Sequence, residues 1–179
     1  MSQNNGETYK SWAMEALSYT VGKLSLGRGN SLADWYTLGP DEAWYSGPGK
    51  QLSMLWGMAV LRSYEQIGDD VKLVQCRANV AKGVQTGNCQ EHAAVAFDYL
   101  AKLGCRPVAI MGQKNHAFTI VGFDLNCNFN QPSSFPDWSW VSDPWKRQIY
   151  KTNTLSGSPF YEPVIMLREK DQYPNYLNG

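Results

Sequence analysis

The pattern of apolar and polar positions in the first half of the chain predicts helices. Residues 8–26 carry apolar side chains at close to helical spacing, and residues 51–67 repeat them along one face of a second, largely buried helix. Residues 71–84 predict a third helix, whereas the Gly and Pro density of residues 31–50 indicates short turns. We therefore expect residues 1–83 to form a mainly helical, aromatic-rich half.

A helix over residues 89–103 is the most clearly marked element of the chain. Asn88 is a favourable N-cap, and Glu91 stands three residues later, where a capping-box carboxylate reaches back to the cap N–H. Gly104 suits the left-handed position that ends a helix. The residues of its buried face are Ala93, Ala96, Phe97, Leu100 and Leu103.

The pattern after this helix changes to short strands separated by turns. Strands are predicted at 106–111, from residue 116 onward, at 138–143 and at 147–151, with a polar loop over 125–136. Strands joined by short connections favour an antiparallel sheet, so the fold class is α+β: a helical half, then a helix packed on the sheet. A chain of 179 residues fits one domain, 1–179, with residues 84–155 as its core.

Charge and composition narrow the classes of partner. The 16 basic and 16 acidic residues balance, and no stretch is strongly basic, so nucleic acid is not expected as a ligand. No apolar run reaches the roughly 18 residues of a membrane span. The N-terminal residues lack the basic-then-apolar pattern of a signal peptide, so we expect either a specialised secretion route or a cytoplasmic location.

The chain has four cysteines, and their spacing shows no CxxC pair or zinc-ribbon pattern. Cys89 differs from the rest because it falls in the first turn of the predicted helix. There the helix dipole and unpaired backbone N–H groups favour thiolate over thiol, and thiolate is the nucleophile. We expect Cys89 to be reactive, and Cys76, Cys105 and Cys127 to be reduced, buried thiols.

Chain geometry indicates which residues Cys89 meets. Fifteen helical residues carry the backbone about 22 Å away from Cys89, and six strand residues return it about 20 Å. His116, after the turn at 112–115, then starts its strand level with the helix N-terminus. Strand 138–143 returns to the same edge, which brings Asp143 there. Cys89, His116 and Asp143 thus form the predicted site of a thiol nucleophile, its base and the carboxylate that orients the base.

Three segments, GNCQEHA, NHAFTIVG and WSWVSDPW, taken in this order, resemble the Cys-His-Asp core of papain-like and transglutaminase-like thiol enzymes. In particular they resemble small bacterial effector and toxin domains that act as glutamine deamidases or cysteine proteases. The resemblance covers about residues 84–150 and implies Cys89 as nucleophile, His116 as base and Asp143 as the orienting carboxylate. By analogy with an upstream Gln of papain-like proteases, it also implies Gln85 as a weak candidate oxyanion donor.

This resemblance implies an acyl-transfer enzyme that needs no cofactor and acts on protein amide groups. Small size and the lack of a propeptide-like extension favour a glutamine deamidase effector or toxin. A cysteine protease and a peptidoglycan amidase are the alternatives. The partners expected are a protein substrate and, for a toxin, a cognate immunity or inhibitor protein.

Other interpretations of the same side chains stay open. His92 could serve as base but is expected, like Asn88, to support the site without reacting. Asp124 and Asp137 are weaker substitutes for the carboxylate. A zinc site built from Cys89, His92, His116 and Asp143 is chemically possible, although no metal is expected. A non-enzymatic, aromatic-rich binding module would be favoured by exposed Trp side chains in 125–145.

Overall fold

The computed structural model describes residues 4–28, 69–113, 116–155 and 163–174. Within these ranges it is a mixed α+β structure, as the sequence predicts, with three helices and five strands. Two short 3-10 turns, Pro132–Ser134 and Thr152–Thr154, complete the described elements. The helices are α1 Asn4–Lys23, α2 Asp70–Val84 and α3 Cys89–Lys102, and the strands are β1 Val108–Gln113, β2 His116–Val121, β3 Trp140–Asp143, β4 Gln148–Lys151 and β5 Ile165–Leu167.

The five strands form one sheet in the order β4-β3-β2-β1-β5. Every neighbouring pair is antiparallel. The β1–β2 register pairs Gln113 with His116 at one end and Val108 with Val121 at the other. His116 therefore begins β2 at one edge of the sheet, and Asp143 ends β3 at the same edge because β3 runs antiparallel to β2.

The three helices cover one face of the sheet. Helix α3 packs on β1 and β2, while α1 packs against α3 and β3, and α2 packs against α3. Small side chains dominate the helix contacts, with Ala13 and Ala16 of α1 and Ala93, Ala94 and Ala96 of α3 fully buried. Such small residues let the helix backbones approach closely, which positions α3 tightly against the sheet.

The opposite face of the sheet is covered by the loop that follows β2. Side chains of β1, β2 and β3 pack there against Phe123, Phe129 and Phe135, whose rings make edge-on contacts with one another. Phe135 is almost fully buried. The sequence shows this segment as a polar loop, but its aromatic side chains form a second hydrophobic layer.

The helix predictions correspond closely to the structure where it describes them, except that Leu103, predicted on the buried face of α3, is 50 % exposed just beyond the end of that helix. The helix predicted at 8–26 is α1, which runs from Asn4 to Lys23. Its buried face is centred on Ala13, Ala16 and Thr20, and Leu24, just beyond its end, is buried with them. Larger side chains that mark the predicted apolar face, such as Leu17 and Val21, are only half-buried beside it.

The predicted third helix is α2. Asp69 Oδ1 caps it by accepting hydrogen bonds from the N–H groups of Val71 and Lys72. The predicted helix at 51–67 and the turns at 31–50 lie outside the described residues.

The strand predictions are confirmed for four strands, with shifted ends. Strand β1 starts at Val108 and continues to Gln113, so part of the predicted turn at 112–115 belongs to the strand. Strand β3 starts at Trp140 rather than Trp138. The fifth strand, Ile165–Leu167, was not predicted, because three residues are too few to show an alternating pattern.

No helix in the described ranges combines the length and the apolar character that crossing a bilayer requires.

Candidate active site

The site is built on the N-terminus of α3, which begins at Cys89 as predicted. Glu91 Oε2 accepts a hydrogen bond from the Asn88 backbone N–H at 2.9 Å. Arg77 of α2 holds the same carboxylate from the other side, with Nη1 at 3.4 Å from Glu91 Oε1, and it also donates to the Gln90 side chain. Local capping and an ion pair to α2 together fix where the first turn of α3 lies.

Cys89 hydrogen-bonds to His116, the first residue of β2. Burial acts to raise the pKa of the Cys89 thiol, but hydrogen bonds from the His116 side chain and the Ala117 backbone N–H outweigh it, so the pKa lies below the usual thiol value. A lowered pKa increases the fraction of nucleophilic thiolate at neutral pH.

The other three cysteines have the opposite electrostatics. Burial raises the pKa of Cys76, Cys105 and Cys127. Cys76 and Cys105 are buried as predicted, whereas Cys127 is only half-buried against the aromatic loop, and all four cysteines are free thiols. Cys89 is thus the single cysteine of this chain whose environment favours the thiolate.

The second hydrogen bond of the site joins His116 to Asp143. His116 Nε2 donates to Asp143 Oδ2 at 2.6 Å, which leaves Nδ1 of the ring for Cys89. Burial acts against the charged imidazolium, but the hydrogen bonds with Asp143 and Cys89 prevail and raise the pKa of His116 to about 9. The imidazolium is therefore the favoured form at neutral pH, beside a sulfur whose pKa is lowered and whose thiolate fraction is raised.

Asp143 is fully buried and receives several donors besides His116. Tyr150 OH donates to Asp143 Oδ2 at 3.1 Å, and the Lys146 backbone N–H donates to Oδ1 at 3.1 Å. The Lys146 ammonium lies 3.7 Å from Oδ2. Burial and the nearby carboxylate raise the pKa of Tyr150, so its hydroxyl stays protonated and remains a donor.

Aromatic rings enclose the imidazole. The ring centroids of Trp145 and Phe118 lie 5.3 Å and 5.8 Å from that of His116. Arg28 is on the segment that follows α1, and its guanidinium lies 5.5 Å from the centre of the Trp145 ring. These rings restrict the orientation of His116 and keep its hydrogen bond to Asp143 away from water.

Two of the weaker candidate residues have contacts of their own. Gln85 is exposed, ends α2 with a φ of 56°, and its side-chain oxygen accepts from Ser25 Oγ at 2.9 Å. It does not line the cleft that contains Cys89, so an oxyanion role for it stays a prediction. His92 is buried, and its Nδ1 donates to the Asn88 carbonyl oxygen at 2.9 Å. That bond ties His92 to the first turn of α3.

The remaining alternatives receive no geometric support within the described ranges. Asp124 and Asp137 accept hydrogen bonds from Asn126 and Asn153, respectively. No group of three or more His, Cys, Asp or Glu side chains in the described part of the chain is placed to hold a metal ion.

Three residues of the site did not emerge from the sequence. Arg77, Trp145 and Tyr150 each contact a member of the site or its helix. Tyr150 lies one strand away from Asp143 in a tight hairpin, but its contact with the carboxylate depends on the strand register, which the sequence does not show. Arg77 left no signal either, because nothing in the sequence relates the rotation of α2 to that of α3.

In comparisons with known proteins, no family model, curated protein or solved structure matches the chain. The case for its function therefore rests on the residues of the site.

Proposed function

We propose that this chain is a cysteine-dependent acyl-transfer enzyme that hydrolyses amide groups of proteins. One observation carries the proposal: Cys89, with a lowered pKa, hydrogen-bonds to His116, which in turn donates to the buried carboxylate of Asp143. A structural cysteine requires neither partner. We propose further that α3 and β1 to β3 form a papain-like or transglutaminase-like core, as the resemblance in residues 84–150 implies.

In the first half-reaction the Cys89 thiolate attacks the carbonyl carbon of an amide. A carbon–sulfur bond forms, and the carbonyl electron pair moves to oxygen, where backbone N–H groups of the first turn of α3 stabilise the charge. The His116 imidazolium then transfers its proton to the amide nitrogen. The carbon–nitrogen bond breaks, and ammonia or an amine leaves behind a thioester.

In the second half-reaction water attacks the thioester. The now neutral His116 accepts a proton from the water as the new carbon–oxygen bond forms, and Cys89 leaves as thiolate. The net reaction consumes one water and converts an amide to an acid. Asp143 keeps the imidazole oriented through both steps and stabilises its charged form.

A glutamine side chain is the substrate we favour, because the resemblance is to small deamidase effector and toxin domains. The same chemistry on a backbone amide would be proteolysis, on a cell-wall cross-link peptidoglycan cleavage, and with an amine in place of water transglutamination. Delivery into a target cell by a specialised route, and a cognate immunity protein, belong to this same proposal.

A protein-binding role is a second candidate, favoured by a different part of the surface. Trp138 is 37 % exposed and Leu125 is 45 % exposed, and both line a cavity of about 610 Å³ at the end of the sheet away from His116. Exposed aromatic and aliphatic side chains of this kind occur at protein interfaces. Binding alone gives no role to the hydrogen bond between Cys89 and His116.

The test is a comparison of target-cell proteins incubated with the wild type, Cys89→Ala and Cys127→Ala. Cys127 is a suitable control because it is a half-buried thiol whose pKa is raised rather than lowered. Mass spectrometry should find glutamine converted to glutamate in samples with the wild type and Cys127→Ala. The Cys89→Ala protein should lose at least about a thousandfold of this activity.

New peptide termini instead of converted glutamines would assign proteolysis to the same site. Identical proteomes from the wild type and Cys89→Ala would contradict an enzymatic role for the thiol.

A further inference from the structure

A cleft of about 450 Å³ opens beside the reactive pair, and both Cys89 and His116 line it. Its other walls come from α2, from β1 and from the residue before β5. These elements lie partly outside residues 84–150, so the resemblance to thiol enzymes does not account for the cleft.

The walls of the cleft are mainly aliphatic. Leu73 and Val74 contribute from α2, Ile110 from β1, and Val164 from the segment entering β5. The sheet beneath carries small residues, since Gly112 and Ala117 both line the cleft and are paired across β1 and β2. Paired residues of an antiparallel ladder present the same face, so this pair leaves space next to the sulfur.

The charge in the cleft is already matched. Apart from the His116 imidazolium, which is paired with Cys89 and Asp143, Arg77 is the cationic side chain among the described lining residues, and its guanidinium contacts Glu91 at 3.4 Å and the Gln90 amide. No described lining residue carries a carboxylate. Placing a second charge against aliphatic walls would cost free energy without a compensating partner.

We propose that this cleft binds an uncharged aliphatic group of the substrate, of about the size of a leucine side chain, next to the amide that Cys89 attacks. This specificity rests on the proposed function, because it places that group beside the reacting carbonyl. Val164 is the most exposed of the aliphatic wall residues, with 60 % of its surface exposed. Its side chain therefore controls the rim of the cleft.

Three chloroacetamides test the proposal without knowledge of the natural substrate. Each alkylates Cys89 as the sulfur forms a bond to the CH₂ carbon and chloride leaves. The reagents are 2-chloroacetamide, its N-isobutyl derivative and its N-carboxymethyl derivative, and each rate is divided by the rate of the same reagent with glutathione. The N-isobutyl reagent should react about 10-fold faster than the parent, as expected for burying an aliphatic group, and the N-carboxymethyl reagent should not.

Two variants of Val164 test whether this side chain causes the preference for the N-isobutyl reagent. Val164→Asp should reduce the N-isobutyl preference, which is the ratio of the N-isobutyl rate to the parent rate in the same protein, at least about 5-fold, because a carboxylate at the rim opposes aliphatic binding. Val164→Thr, which preserves the shape of the side chain, should act in the same direction with a smaller effect. Leu125→Asp is the matched control, because Leu125 is similarly exposed but lies at the opposite end of the β1–β2 ladder.

The outcomes separate this proposal from the proposed function. If the parent reagent reacts with Cys89 no faster than with glutathione at neutral pH, the activated thiol is refuted. If the parent reacts quickly but the N-isobutyl group gives no advantage, or Val164→Asp leaves the advantage unchanged, the aliphatic cleft alone is refuted.

Discussion

Asp143 determines the behaviour of the site at the scale of single residues. Its Oδ2 accepts from both His116 Nε2 and Tyr150 OH, at 2.6 Å and 3.1 Å. Two donors on one oxygen share its charge, so Tyr150 limits how strongly Asp143 stabilises the imidazolium. Tyr150 is therefore a positioning residue that acts on His116 through the carboxylate.

Replacing Tyr150 by Phe should change the pH dependence of the reaction. In the wild type, activity should rise as Cys89 ionises at its lowered pKa, and fall as His116 loses its proton at about 9. Without the Tyr150 hydroxyl, the Asp143 carboxylate interacts more strongly with the His116 imidazolium and raises the pKa of His116. The alkaline limb of the activity profile should therefore move to higher pH. Turnover should fall about 5-fold because the carboxylate is less well held. Activity profiles and NMR titration of His116 measure both effects.

Tyr173→Phe is the matched control. Tyr173 OH donates to the buried Asp98 at 3.0 Å, away from the cleft, and burial and that carboxylate raise its pKa as they do for Tyr150. Both variants should lose stability by a similar amount, about 1.5–3 kcal/mol. A shift of the alkaline limb in both variants, or in neither, would show that Tyr150 has no role beyond stability.

The residues of the triad could be predicted, whereas their supports could not. Element lengths alone bring Cys89, His116 and Asp143 to one edge of the sheet, since a helix and a returning strand of known rise cover similar distances. Tyr150 and Arg77 depend on strand register and helix rotation. Tertiary packing sets both of these, and local sequence pattern does not.

At the scale of elements, the N-terminus of α3 depends on Gly87. A Cβ atom at this position would lie 2.4 Å from Glu91 Cβ, which is closer than two such atoms can approach. The Glu91 carboxylate caps Asn88, so any displacement of it moves the turn that carries Cys89. Glycine is needed here for space rather than for an unusual backbone conformation.

Gly87→Ala should destabilise the protein by about 1–3 kcal/mol and slow the alkylation of Cys89. The control is Gly83→Ala in α2, where an added Cβ meets nothing within 4 Å among the residues that the structure describes. Because alanine is the better helix former, that variant should gain about 0.5–1 kcal/mol. Urea unfolding and thiol labelling measure the two effects. Equal stability of the two variants would refute the steric role of Gly87.

Elements with long or well-capped patterns could be predicted, and short ones could not. Helix α3 has an N-cap, a capping carboxylate and a terminal glycine, and Gly104 has the expected left-handed φ of 79°. Strand β5 has three consecutive apolar residues, so its sequence shows no alternation of polar and apolar positions, and its pairing with β1 defines it as a strand. The sequence shows the residues of such a strand but not the partner that makes them a strand.

At the scale of the whole molecule, the segment after β5 packs against the part of α3 that carries Phe97 and Asp98. Tyr173 packs edge-on against Phe97 and donates to Asp98, and Gln75 of α2 donates to the Pro174 carbonyl at 2.5 Å. Asp98 also pairs with Lys82 and Lys102 at 3.3 Å and 3.0 Å. These contacts join α2, α3 and the C-terminal segment.

Asp98→Asn should destabilise the protein by about 1–3 kcal/mol, because two lysines lose their buried counter-charge while the shape is preserved. Asp137→Asn, at an exposed position, should stay within about 0.5 kcal/mol of the wild type. Urea unfolding compares the two variants. The pH profile of Cys89 should be unchanged in both, since Asp98 does not line its cleft. An altered pH profile in Asp98→Asn would mean that the contacts of Asp98 also position the site.

The overall layering was only partly predictable. A helix on an antiparallel sheet follows from the order of the patterns, but the aromatic layer on the other face does not. Phe123, Phe129 and Phe135 recur every six residues, a spacing that matches neither a strand nor a helix, so only the folded loop brings them together.

The most direct measurement is the rate of Cys89 alkylation by iodoacetamide as a function of pH, in the wild type and in His116→Ala. The wild type should reach half its maximal rate clearly below the ordinary thiol pKa of about 8.5, because His116 stabilises the thiolate. Removing the imidazole should move that midpoint upward, toward the ordinary value. Midpoints near about 8.5 in both proteins would contradict an activated Cys89 and, with it, the proposed chemistry.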